Sequence, residues 1–195
     1  TIKNCIIEWS YNGVSLGPYA KQIYLFNNTI KGNYFSVDVW NANQIYLFNN
    51  TIKDNYFGVD VWNSNQIYLF NNTIKDNKRD KGKIKYSNYI NITNNTIVNN
   101  SRGIRANLSS ELYLANNKID KNRERGIWIN SSENITIINN NITNNMGGIW
   151  AGNSKNITVA HNRIIDNTGP KHAGVDFWMC NNIEVNSNIL SKNKI

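Results

Sequence analysis

Short alternations of apolar and polar residues run through this chain, broken by polar triplets, and they return at a fixed interval. In residues 44–65, Ile45-Tyr46-Leu47 alternates apolar, polar-aromatic and apolar, the period of a strand. Asn49-Asn50 turns the chain, Ile52 opens a second short strand, and Lys53-Asp54-Asn55 turns it again. Gly58-Val59-Asp60-Val61-Trp62 reads as a third strand, with the valines on one side and Asp60 and Trp62 on the other. Asn63-Ser64-Asn65 closes the unit. Three short strands and three polar corners per 22 residues predict one rung of a parallel β-helix.

The phrase Asn-Asn-x-Ile marks the repeat every 22 or 23 residues, at 27–30, 49–52, 71–74, 94–97, 116–119 and 139–142, with His161-Asn162-Arg163-Ile164 as a variant. Degraded copies end at Ile7 and Ile189. A constant period of this size predicts a stack of equivalent coils, here an all-β solenoid of about eight. Superposing the rungs gives inward columns. One holds Val37, Val59, Ile104, Ile127, Ile149 and Val175. Another runs from Ile23 through Ile45 and Ile67 to Ile183, with Leu25, Leu47, Leu69 and on to Val185 beside it. β-branched residues dominate, as a stacked pleated surface prefers.

The corners give the asparagines a role. Rungs lie about 4.8 Å apart, and an amide carries both donor and acceptor, so equivalent Asn side chains can bond up and down the stack. Asn28, Asn50, Asn72, Asn95, Asn117, Asn140 and Asn162 form one predicted ladder. Asn33, Asn55, Asn77, Asn100, Asn122, Asn145 and Asn167 form a second. Asn also tolerates the left-handed backbone that tight corners need. A leucine-rich repeat fits part of the pattern but fails at two points. The position three before Ile45 is Ala42, and its equivalents are serines. Residues 56–62 alternate like a strand and show no helical period.

Composition sharpens this picture. Asn makes up 41 of 195 residues, and a bias so strong in a periodic sequence points to repeated positions rather than disorder. Cys5 and Cys180 fall in the first and last coils, too far apart to bridge. No zinc spacing exists, no cofactor is implied, and no apolar run reaches membrane-span length. His161, His172, Met179 and Cys180 match no metal motif, so no metal site is expected. Both termini read as mid-coil sequence. The expectation is one β-helix domain over residues 1–195, itself part of something longer.

The formal charge of +8 favours anionic partners without choosing among them. Lys75, Lys78, Arg79, Lys81, Lys83 and Lys85 cluster, but the basic residues form no stripe along the stack, so nucleic acid is not an expected partner. Residues 22–43 and 44–65 match at 19 of 22 positions. A catalytic site needs a unique constellation, whereas a scaffold works by repetition, so duplication favours structure or adhesion. Extra residues near Gly169-Pro170-Lys171-His172 predict a surface bulge.

Candidate chemistry lies on the outward positions of the third strand. By rung these are Ser15, Asp38, Asp60, Lys83, Arg105, Trp128, Trp150 and Asp176, then Gly17, Trp40, Trp62, Lys85, Asn107, Asn130, Gly152 and Trp178. Five tryptophans (Trp40, Trp62, Trp128, Trp150 and Trp178) are expected to be exposed as a ligand-binding patch, because flat aromatic rings stack on sugars. The alternative is that they stack on each other. Asp38 and Asp60 stand one rung apart, about 5 Å, a separation used in acid–base glycoside chemistry. With Asp176, Lys83 and Arg105 they are the catalytic candidates, although duplication alone accounts for the pair. Tyr24, Tyr46, Tyr68 and Tyr113 are expected to form a stacked outward row. Eleven Asn-x-Ser/Thr sequons occur, with Asn91, Asn107, Asn134 and Asn156 as glycosylation candidates.

Asn-Cys-Ile-Ile at 4–7, the Asn-Asn-Thr-Ile corners and Gly-Ile-Trp after Asn-rich turns resemble the right-handed parallel β-helix repeats of NosD-like and carbohydrate-binding, sugar-hydrolase (CASH) proteins, archaeal surface proteins among them. The resemblance spans the chain and implies the right-handed fold. It also implies a choice among structural or adhesive surface modules, polysaccharide lyases, hydrolases or epimerases, and periplasmic copper-site maturation proteins. No catalytic motif of those enzymes carries over: Asp-Pro-His-Asp, Asn-Thr-Asp and Gly-His-Gly are absent. The expectation is an extracellular or cell-surface module, with the periplasm as alternative. Its expected partners are polysaccharide or neighbouring protein chains, including end-to-end or lateral self-assembly.

Overall fold

The computed structural model describes residues 1–79, 83–169 and 174–193. Every strand among them pairs in parallel with the strand one rung away. Three sheets result. The first holds nine strands such as Asn43–Phe48 and Asn65–Phe70. The second holds nine short strands such as Thr51–Lys53. The third holds eight, Phe35–Trp40 and Phe57–Trp62 among them. No helix is present among the described residues, and so none long and apolar enough to cross a membrane.

Register follows the repeat residue for residue. Ile45 pairs Ile67 and Leu47 pairs Leu69 on the first sheet, Ile52 pairs Ile74 on the second, and Val37 pairs Val59 on the third. A one-residue slip would turn every one of these side chains outward, so the apolar columns fix the alignment. The predicted inward columns form a continuous core, with Leu25, Ile45, Leu47, Ile67, Leu114 and Ile127 fully buried. In the last coil Ile183 and Val185 stay exposed, unlike their equivalents in the middle of the stack.

Both Asn ladders form, and both are buried. The amide-to-amide bonding has one sense throughout. Asn50 donates from its backbone N–H (2.9 Å) and its Nδ2 (3.0 Å) to Asn72 Oδ1 in the next rung, and Nδ2 also donates back to Leu25 O at 2.9 Å. Asn55 does the same with Asn77 Oδ1 and Ile30 O. Each buried amide thus satisfies backbone groups that the corner would otherwise leave unpaired. At the third corner serines take the place of asparagine: the Ser64 hydroxyl accepts from Ala42 N–H at 3.1 Å and donates to Trp62 O at 2.8 Å.

The left-handed backbone sits one residue earlier than the ladders. Asn49 (φ 53°) precedes Asn50 and Asp54 (φ 57°) precedes Asn55, so one residue of each pair bends the chain and the next bonds inward. A further left-handed position falls inside the first-sheet strands, at Gln22, Gln44 and Gln66. Glycines open the third strand for another reason. A Cβ on Gly103 would lie 2.1 Å from Gly126 O, and one on Gly148 would lie 2.0 Å from Gly174 O, so the neighbouring rung leaves no space for a side chain. The predicted bulge at Pro170, Lys171 and His172 falls outside the described residues, as does Lys81 of the basic cluster.

Candidate binding face

The outer surface of the third sheet carries the charged and tryptophan columns in the predicted order. Ser15 pairs Asp38, and Asp38 pairs Asp60. Ile84 pairs Val61 on one side and Ala106 on the other, which places Lys83 level with Asp60 and Arg105. Arg105 pairs Trp128, Trp128 pairs Trp150, and Trp150 pairs Asp176. In the second column Trp40 pairs Trp62, Trp62 pairs Lys85, and Gly152 pairs Trp178.

The five tryptophans do not form one exposed patch. Trp40, Trp62 and Trp178 are exposed, at 36%, 46% and 53%. Trp128 and Trp150 are half-buried and stack face to face, with centroids 5.2 Å apart and planes 13° from parallel. Arg105 lies 4.7 Å from the Trp128 ring centre, and Arg125 lies 5.1 Å from that of Trp150. Rings held this way gain aromatic and cation–π stabilisation. Trp128 and Trp150 thus stack on each other, the alternative to an open patch, while Trp40, Trp62 and Trp178 face solvent. Trp40 rests over Gly17, where an added Cβ would lie 3.1 Å from the indole. Trp150 lies across Gly152 in the same way, its ring 2.3 Å from where a Cβ would stand.

A basic zone separates the tryptophan groups. Arg102 forms an ion pair with Glu124 through both Nε and Nη2. Burial pushes the Arg125 pKa below its ordinary value, nearby Arg102 adds to this, and Asp176 and Glu124 oppose it. Arg102 and Arg125 escape a reading based on strand alternation because each sits just before a glycine at the start of the third-sheet strand, Arg102 two residues ahead of Ile104–Asn107 and Arg125 as the first residue of Arg125–Asn130. The signal was present as Arg-Gly-Ile at 102–104 and again at 125–127. Behind this zone, where the third-sheet strand shortens to Ile84–Lys85, a cavity of about 70 Å³ is walled by Val59, Ile67, Ile74, Ile92 and Ile104.

Asp38 and Asp60 are half-buried and level on adjacent rungs, and Asp60 Oδ1 is shielded from solvent. Asp176 stands at the far end of the column, beyond both stacked tryptophans, so the three aspartates do not converge. Among the described residues no group of three or more His, Cys, Asp or Glu side chains is arranged to hold a metal ion. His172 lies outside the described residues.

On the first sheet three of the four tyrosines in the predicted row, Tyr24, Tyr46 and Tyr68, stack. Tyr24 and Tyr46 lie 4.7 Å apart and Tyr46 and Tyr68 4.8 Å, with planes within 6° of parallel. Desolvation against these neighbours, with their charge as a lesser cause, raises the pKa of the Tyr46 phenol. Asn91 pairs both Tyr68 and Tyr113, and so separates Tyr113 from the stack.

Three parallel sheets wound about one axis, with amide ladders at two corners, define a β-helix. The family model described as the right-handed beta helix region matches residues 1–135 and 84–195, and the chain belongs to that family. No curated protein matches the sequence.

Proposed function

We propose that this chain is a non-enzymatic extracellular β-solenoid, a structural or adhesive module that contacts polysaccharide through the outer face of its third sheet. The observation that carries this reading is the in-register repetition of Asp38 with Asp60 and Trp40 with Trp62 on two nearly identical rungs. Repetition multiplies a contact along an extended ligand, whereas chemistry at a single bond gains nothing from it. The three exposed indoles supply apolar surface, and the adjoining Lys83, Lys85 and Arg105 supply cations.

The second reading is a polysaccharide-active enzyme of the parallel β-helix type. It draws on the shielded Asp60 oxygen beside Asp38, level with Lys83. Two carboxylates on adjacent rungs offer the acid and base that such catalysis requires. A glycan array run beside a turnover assay on uronate polymers separates the two. Binding without turnover, weakened about tenfold by Trp62→Ala, is the expected result. Turnover abolished by Asp60→Asn would establish the enzyme instead.

A further inference from the structure

The fold treats the eleven sequon asparagines unequally. Asn91 and Asn107 are half-buried, and Asn107 Oδ1 accepts from Asn130 Nδ2 at 3.0 Å. Asn134 Nδ2 donates to Glu111 Oε1 at 2.6 Å, and Asn156 Nδ2 donates to Asn134 Oδ1 at 2.8 Å. Asn27, Asn49, Asn71 and Asn94 differ from all of these. Each is the exposed, left-handed first residue of its corner, with φ between 53° and 57°. Their side chains make no hydrogen bond among the described residues. Thr29, Thr51, Thr73 and Thr96, two residues on, stand in register on the adjoining sheet.

We infer that this corner column, rather than the four asparagines singled out from sequence, is the site of N-glycan attachment. The inference rests on the extracellular part of the reading above. In the transfer, Nδ2 attacks C1 of an oligosaccharide carried on a lipid pyrophosphate. The Nδ2–C1 bond forms, the C1–O bond to pyrophosphate breaks, the lipid pyrophosphate leaves, and one amide proton passes to a base of the transferase. The glycosylated nitrogen keeps a single hydrogen and carries a sugar. A ladder asparagine such as Asn50 cannot accept this, because its Nδ2 donates to both Asn72 Oδ1 and Leu25 O inside the stack. A corner asparagine loses nothing. Adjacent rungs lie about 4.8 Å apart, less than the breadth of a hexose, so glycans occupy alternate rungs and leave the intervening asparagines bare.

The test is secretion of the full chain through a eukaryotic pathway with a sequon in an appended flexible tail. Chains are selected by lectin after enzymatic trimming, and glycopeptides are mapped by mass spectrometry. Occupancy in the peptides holding Asn27, Asn49 and Asn71, with no chain occupied on two adjacent rungs, is expected. Thr29→Val, Thr51→Val, Thr73→Val and Thr96→Val together should remove these glycans while circular dichroism stays unchanged. Occupancy at the tail with bare corner peptides would overturn the inference, as would preferential occupancy at Asn91, Asn107, Asn134 or Asn156. Bare corners with intact array binding sink only the attachment site. Occupied corners with no array binding sink only the reading of the third face.

Discussion

At a single corner two neighbouring asparagines do opposite work. Asn71 (φ 55°) bends the chain in water, while Asn72 sits buried and donates to Leu47 O (2.8 Å) and Asn95 Oδ1 (3.1 Å). Its own Oδ1 accepts from Asn50 N–H at 2.9 Å. Asn72→Ala strands a buried backbone donor and a buried carbonyl, a loss of about 2–6 kcal/mol at 1–3 for each unsatisfied group. Asn71→Ala forfeits only the left-handed preference, about 1 kcal/mol. Denaturant melts of both variants measure the difference, and equal losses would contradict the division of labour. Periodicity in the sequence revealed which residues share a column, and so the ladder was legible. It did not reveal that Gln44 is left-handed within its strand, because Gln carries no turn signal. Nor did it reveal that Trp128 and Trp150 close on each other, because column membership leaves side-chain rotamers open.

Among the strands, the glycines near the start of the third-sheet strands differ sharply in the space around them. A methyl on Gly148 would meet both Gly174 O (2.0 Å) and the Cγ2 of Ile164 (2.7 Å), whereas one on Gly58 would meet only Asn77 Nδ2 at 4.0 Å. Ser36 already occupies the equivalent position one rung before Gly58. Gly148→Ala is therefore expected to cost about 1–3 kcal/mol through overpacking. Gly58→Ala should be neutral or gain about 0.4–1 kcal/mol by restricting the unfolded chain. Thermal melts of the two variants check this, and similar midpoints would show that the glycines are not there for closeness. The Arg-Gly-Ile copies belong to this scale too. The glycine leaves no room for a side chain against the next rung, and the arginine before it, Arg102 ahead of its strand and Arg125 at the head of its own, falls out of the alternation. A rule built on alternate residues steps over them.

For the molecule as a whole, each rung touches only its neighbours, so stability is close to a sum over rungs and interfaces. Residues 22–43 and 44–65 are interchangeable at 19 of 22 positions. Deleting residues 44–65 leaves the following interface as it is, with Tyr24 over Tyr68, Asn28 over Asn72 and Val39 over Ile84. The shortened chain is expected to keep its parallel-sheet circular dichroism and melt cooperatively a few degrees lower. Deleting residues 44–54, half a rung, should abolish folding because it puts corners over strands. The architecture was legible at this scale because repetition is a whole-chain signal. Function was less so, since the outward columns carry no shared constraint of packing.

Every ladder oxygen accepts from the earlier rung, while each Nδ2 donates both to the amide of the later rung and back to a carbonyl of the earlier one. Along both ladders the amide oxygens therefore face one end of the stack, and the amide-to-amide donors face the other. Two such stacks meeting by the ends toward which their ladder amides donate would oppose donor against donor at the ladder corners. The only electrostatically matched encounter along the axis is unidirectional, so a fibre built this way would carry the polarity of its asparagines from one extremity to the other.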